Sequence, residues 1–259
     1  MPRKTHSDTQ PIKQAAWFET THWSLVLKAG HDSSPDSDDA LARLCEVYWY
    51  PLYAYVRKRV GTVHDAQDLT QAFFARLIEK GFLHDVDKSC GKFRSFLLAS
   101  IKHFIANEHK RDRAEKRGGG RQNLSLDFVP LDFEDAERRY CIEPIDTMTP
   151  ELLYERRWAL TLLDQVISRL EQEFEKSGKS VWFAALKPLL TAAPDAPSHR
   201  EAANQLGSTE AAVKAAAHRL RRRCRTVLRE EIAQTVTAPD QIEEEIQELF
   251  QSVSSEFFP

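Results

Sequence analysis

Apolar side chains recur every three or four residues along most of the chain. No segment shows the convincing period-two alternation of a half-buried strand. Residues 40–59 place Leu41, Leu44, Val47, Tyr48, Leu52, Tyr55 and Val56 at helical spacing. The turn-rich stretch 32–39 leads into this helix, Pro51 should kink or divide it, and Gly61 should stop it. Residues 64–80 predict a second helix, its inner face formed by Leu69, Phe73, Leu77 and either Ala66 or Ala72. Residues 92–117 predict a third, with an apolar stripe of Phe93, Phe96, Leu97, Ile101, Phe104 and Ile105. Beyond Ile105 this helix turns polar and basic, and it stops at Gly118-Gly119-Gly120.

From 118 to 150 the period dissolves among three glycines, three prolines and many acids, which reads as a linker and the best domain boundary in the chain. Thr149 then looks like a helix cap with Pro150 in the first turn. Residues 151–175 are strongly periodic through Leu153, Trp158, Leu160, Leu163, Val166, Ile167, Leu170 and Phe174. A shorter apolar helix is expected over 180–190, then a pair over 199–206 and 209–233. A last amphipathic stretch, 239–253, puts Ile242, Ile246, Leu249, Phe250 and Val253 on one side. This face either covers the second domain or binds a regulator, and covering its own core is the commoner use. The pattern therefore predicts an all-α protein: a flexible tail (1–20), a helical domain (21–117), a flexible acidic linker (118–150), a second helical domain (151–233) and an acidic amphipathic extension (234–259).

Composition narrows the classes without changing that picture. The chain has 259 residues, is 29% charged and carries nine glycines, which disfavours glycine-rich nucleotide loops. Four separated cysteines without a C-x-x-C pair suit a reduced interior and no metal site. No apolar run could span a membrane, and the N-terminal residues do not resemble a secretion signal, so a cytoplasmic location is expected. Net charge is −3, but its distribution is uneven. Residues 91–121 hold nine Lys/Arg against three acids, and 200–230 hold eight against three; residues 231–259 hold seven acids and no Lys or Arg. Two basic segments far apart are candidate contacts with a polyanion.

The sharpest local signal is a short helix, a Leu206-Gly207-Ser208 turn and a longer basic helix, which is helix-turn-helix grammar. Ala202, Ala203, Leu206 and Val213 would let the two helices cross closely, with Ser208 as cap. The second helix would then enter a major groove with Lys214 and Arg219 outward, and Arg221, Arg222, Arg223 and Arg225 within reach of phosphates. The bland alternative is a basic, solvated helix on a helical hairpin. The basic run from Lys102 to Arg121 is less specific, and its phenylalanines suit a core as well as base stacking. Asp68, Gln71 and Phe74 share a turn-spaced surface, and an exposed Phe there would suggest a protein partner. No GxxxxGK, GxGxxG, HExxH or GxSxG motif occurs, and Asp85–Gly91 fails as a calcium loop because Phe96 stands where a bidentate Glu belongs. No catalytic residue, no cofactor and no metal are expected, and an enzyme is disfavoured.

Three motifs in order resemble a bacterial RNA polymerase sigma factor of the extracytoplasmic-function (ECF) type, in the sigma-70 family. Asp65-Ala66-Gln67-Asp68-Leu69-Thr70-Gln71-Ala72-Phe73-Phe74 is similar to the family's D-A-x-D-L-x-Q-x-x-F helix. Phe93-Arg94-Ser95-Phe96-Leu97 is similar to its F-R-x-W-L opening of the promoter-melting helix, with Phe96 in place of Trp. Glu201-Ala202-Ala203 to Gly207, then Val213-Lys214 and His218-Arg219-Leu220-Arg221, are similar to its −35 reader. The resemblance implies that Asp65, Asp68, Gln71 and Phe74 dock on the β′ clamp helices of core RNA polymerase. It implies that His103, Asn107, Lys110, Arg111 and Arg113 lie near the melted −10 DNA, with His103 where many relatives carry Asn. Ser208, Lys214, Ala215, His218, Arg219 and Arg222 would face the −35 element. The β flap and an anti-sigma factor are further implied partners, alongside promoter DNA. The alternatives from the residues alone are a stand-alone helix-turn-helix regulator and a sigma-like adaptor that binds polymerase without reading DNA.

Overall fold

The computed structural model describes residue 26 and residues 35–79, 91–115, 132–141, 148–190, 196–233, 235–236 and 238–254. Among them every regular element is a helix and none is a strand. The α-helices are α1 (Pro35–Val60), α2 (Val63–Glu79), α3 (Phe93–Glu115), α4 (Phe133–Cys141), α5 (Pro150–Lys176), α6 (Ser180–Leu186), α7 (His199–Gln205), α8 (Glu210–Ala233) and α9 (Gln241–Ser254). A 3₁₀ turn, Lys187–Leu190, continues α6 where Pro188 removes a backbone donor.

α1 runs unbroken through Pro51, so the proline does not divide the element as its type suggested. The ring is buried, and Leu52, Tyr53, Tyr55 and Val56 beyond it are completely buried. Packing of this apolar turn outweighs one lost helix bond; each such side chain contributes about 1.5–3 kcal/mol. In α2, Ala66, Phe73 and Leu77 are buried as the period requires, with Leu69 half-buried and Phe74 buried as well. In α3 the buried set is Phe93, Leu97, Ile101, Phe104 and Ile105.

α5 is the central element. Thr149 caps it, its hydroxyl accepting from Leu152 N–H at 3.2 Å, with Pro150 at the first helical position. α5 packs on α1, α6, α8 and α9. Its N-terminal turns bury Leu153, Tyr154, Trp158 and Ala159 at less than a tenth exposure, and the Arg157 guanidinium lies 5.1 Å from the Tyr50 ring centroid on α1. One apolar cluster therefore runs from α1, α2 and α3 through α5 to α8.

The acidic segment between the two halves holds an element that periodicity does not announce. α4 is capped by Asp132, whose carboxylate accepts from Asp135 N–H at 2.8 Å. The Phe133 ring meets the Trp49 ring edge-on at 4.5 Å. Glu137 accepts from Tyr53 Oη at 2.6 Å and pairs with Arg57 at 3.0 Å, so α4 is clasped to α1. Burial pushes the Glu137 carboxyl up, but hydrogen bonds from Arg57 and Tyr53 outweigh it and hold the group below the usual glutamate range.

Candidate functional surfaces

α2 begins with a reciprocal cap. Thr62 Oγ1 donates to Asp65 at 2.7 Å, and Asp65 N–H donates to Thr62 Oγ1 at 3.2 Å. Asp65 is exposed, and Asp68 and Gln71 are part-exposed along the same outer side. His64 Nδ1 lies 3.1 Å from the Asp68 carboxylate. Phe74 departs from the expected set. It is 1% exposed and packs edge-on against Phe73 at 5.7 Å. Nine residues at about 100° each turn it half a revolution from Asp65, so it serves the core and is no surface contact here.

α3 carries a second surface on its C-terminal half. His103, Asn107, Lys110 and Arg111 are all exposed, and spacings of four, seven and eight residues from His103 keep them on one stripe. Arg113 lies on the same helix, with its side chain outside the described ones. A groove of about 300 Å³ opens between α2 and α3, lined by Phe73, Arg76, Leu77, Phe104, His103 and Asn107. The Arg76 guanidinium sits 5.9 Å from the centre of the Phe104 ring. An aromatic floor, an amide and two nitrogen-bearing side chains at its rim suit a flat, hydrogen-bonding ring such as a nucleobase.

The third surface is built by α7 and α8. Ser198 and Glu201 form a full capping box at the start of α7. Its end is a Schellman turn: Ser208 N–H donates to Ala203 O at 2.9 Å and Gly207 N–H to Asn204 O at 3.3 Å. Gly207 sits at φ +58°, where a Cβ would be strained. The side-chain cap of α8 is Thr209, accepting from Ala212 N–H at 3.2 Å, rather than Ser208; Ser208 belongs to the turn. Lys214, Ala215, His218, Arg219 and Arg222 are exposed along α8, and Ser208 is part-exposed at its start.

The arginine run of α8 divides by role. Arg221 donates to Leu189 O at 2.7 Å. Arg223 pairs with Glu173 of α5 at 2.6 Å and with Glu230 at 3.3 Å. These two, expected at phosphates, instead fasten α8 to its own neighbours. The Arg223 hydrogen bond and charge hold Glu173 below the usual glutamate range. A groove of about 420 Å³ lies between α5, α6 and α8, with Phe174, Trp182, Leu186 and Leu220 as walls and Lys179 and Arg219 at the rim. Residue spacing alone did not single this groove out, although the apolar positions that form it were visible.

A fourth cluster, absent from any local pattern, gathers at the start of α3. Arg94 is nearly buried and lies over the Trp158 ring at 4.6 Å. Its Nε donates to Glu245 Oε1 at 2.7 Å, and one terminal nitrogen reaches Glu248 at 2.7 Å. Another terminal nitrogen pairs with Glu155. Lys92 Nζ lies 2.5 Å from Glu245 and 2.6 Å from Glu248. Burial pushes Glu248 up, but the Lys92 hydrogen bond and the Lys92 and Arg94 charges outweigh it, so its carboxyl titrates below the usual range.

α1–α3 thus carry a side with two carboxylates on α2 and a basic stripe on α3. Residues 48–115, from within α1 to the end of α3, match the family model for sigma-70 region 2. The match covers 68 of the 259 residues, and the likeness to the sigma-70 family is that of this segment. Region 2 is the part of a sigma factor that interacts with core RNA polymerase and with promoter DNA, and it belongs to no catalytic family. No curated protein and no solved structure matches the chain. Among the described residues, no helix is long and apolar enough to cross a membrane.

Proposed function

We propose that the chain is a sigma factor of the ECF type, acting in the cytoplasm, that brings core RNA polymerase to promoters and opens them. The observation that carries this reading is the coincidence of the region 2 match with α1–α3 and their two exposed polar faces. Asp65, Asp68 and Gln71 contact the β′ clamp helices. His103, Asn107, Lys110, Arg111 and Arg113 hold the non-template strand of the melted −10 element, one base resting in the groove floored by Phe104. Ser208, Lys214, Ala215, His218, Arg219 and Arg222 meet the −35 element, bases first and phosphates further along the helix. Residues 21–117 and 151–233 are the two functional units, joined by 118–150, and the second also meets the β flap. Two tethered contacts give promoter affinity that neither has alone. The factor breaks no covalent bond; the polymerase does the chemistry.

Co-elution of the purified protein with bacterial core RNA polymerase at micromolar concentration tests the reading against Asp68→Arg. Wild type is expected to co-elute and the variant, altered only at a part-exposed helix position, to fail. Lys214→Ala/Arg219→Ala is expected to keep polymerase binding and lose promoter use. Sequence-specific duplex binding without polymerase would instead assign a stand-alone regulator. Promoter use unaffected by Lys214→Ala/Arg219→Ala would assign an adaptor.

A further inference from the structure

We infer that α9 is an intramolecular latch, which holds the two promoter-reading units together in a closed form that cannot engage both promoter elements at once. The inference rests on the sigma reading for its biological meaning, and on the Arg94 cluster for its mechanism.

Geometry sets the need for opening. Elements centred near −10 and −35 lie roughly 25 base pairs apart, about 85 Å along B-form DNA. A compact chain of this length has a radius of gyration of about 18 Å, or about 47 Å across as a sphere. With α1 packed on α5, the α3 stripe and the α8 face belong to one closed body. Reading both elements therefore requires the α1–α5 contact to part.

α9 is placed to resist that parting. On one side it belongs to the second unit: Leu249 is buried, Ile242 and Ile246 pack on the same cluster, and Glu243 pairs with Arg229 of α8. Arg156 of α5 donates to Val253 O at 3.4 Å. On the other side its acidic face reaches into the first unit, where Glu245 and Glu248 take up Arg94 and Lys92. Glu245 is 1% exposed, so this is a built-in carboxylate and not a loose surface acid. Glu155 and Trp158 of α5 complete the grip on the same guanidinium.

The chemistry makes the latch releasable. Two cations at the start of α3 are neutralised by three carboxylates, one from α5 and two from α9. A buried ion pair adds little net stability over an apolar substitute, although removing one partner alone is costly. Separation would return Lys92 and Arg94 to solvent as cations at the head of the basic helix. There a polyanion, the phosphate backbone of promoter DNA, takes the place of the two glutamates. α9 thus imitates the ligand it excludes, and it yields once polymerase and DNA bind the open form more tightly than the closed one.

The test uses the full chain. Small-angle scattering gives the radius of gyration of wild type, Glu248→Gln and Glu245→Gln/Glu248→Gln, and a titration with core polymerase gives their apparent affinities. The latch predicts a compact wild type, stepwise expansion from the single to the double variant, and apparent core affinity tighter by about five- to ten-fold, because the competent fraction rises. The single change at half-exposed Glu248 keeps the test open if the double variant fails to fold. Unchanged dimensions and affinity, with wild type binding core polymerase, would overturn the latch and leave the sigma reading standing. Expansion of the variants with no core binding by any of the proteins would overturn the sigma reading while supporting the latch.

Discussion

The two ends of α3 carry the same kind of charge and use it differently. At the N-terminal end Lys92 and Arg94 are tied into a nearly closed cage of Glu155, Glu245 and Glu248. Some three turns further on, His103, Asn107, Lys110 and Arg111 stand exposed on one stripe. The same division recurs on α8, where Arg221 and Arg223 are engaged by Leu189 O and Glu173, while Arg219 and Arg222 are exposed. A basic run in a sequence is therefore not one functional unit. Desolvated cations hold neighbouring elements together, and exposed ones stay at the surface, where the proposed DNA contacts need them.

The difference is largest in stability. Arg94→Ala is expected to cost up to about 3–5 kcal/mol in denaturant unfolding, because it leaves buried Glu245 with Lys92 as its one remaining cation. Lys110→Ala should stay within about 0.5 kcal/mol of wild type while lowering the salt dependence of DNA binding by about one ion. Equal effects of the two changes would erase the contrast between the ends of the helix.

The pH dependence sharpens the same contrast. Glu248 and Glu137 both have carboxyls held below the ordinary value of 4.5 in the folded chain. A depressed carboxyl binds its proton more readily when unfolded, so its contribution is complete above about pH 4.5 and disappears as pH falls through the folded value. For Glu248 the facing groups are Lys92 and Arg94, with Glu245 and Glu155 beside them. Thermal stability should be flat from pH 7 down to about 5 and then drop. In Glu248→Gln the drop should be shallower, and an identical profile would remove Glu248 from the account.

The smallest contrast between two neighbouring cations is expected on α8. Arg223→Ala should cost up to about 1 kcal/mol, since its pairs with Glu173 and Glu230 are partly solvated. Arg222→Ala should leave melting unchanged and weaken only promoter binding. The reverse order would reassign the two arginines.

Helix positions and their inner faces were legible because burial on one side imposes a 3.6-residue period on a long segment. α2, α3, α5 and α8 show it at Phe73, Ile101, Val166 and Val213. α4 was not legible. Within its nine residues only Ala136 is fully buried, and the helix is fixed instead by Phe133 and Glu137 reaching sideways to α1. The latch was hidden for another reason: Arg94 and Glu245 are 151 positions apart, and nothing local marks either as a partner. Phe74 could have been placed in advance, since its angle from Asp65 already turns it inward.

The clasp of α4 on α1 also fixes a leash. With Phe133 and Glu137 docked, the eight residues 142–149 between α4 and α5 would limit any parting of the two proposed units to at most roughly 28 Å. On the two-unit reading proposed above, the 34 residues 116–149, undocked and with α4 unwound, would span at most roughly 110 Å. A short leash keeps the parted units at high mutual concentration and favours prompt reclosure; a long one lets them drift to the separation a promoter demands. The Phe133 and Glu137 contacts on α1 would together set how far an opened molecule could stretch.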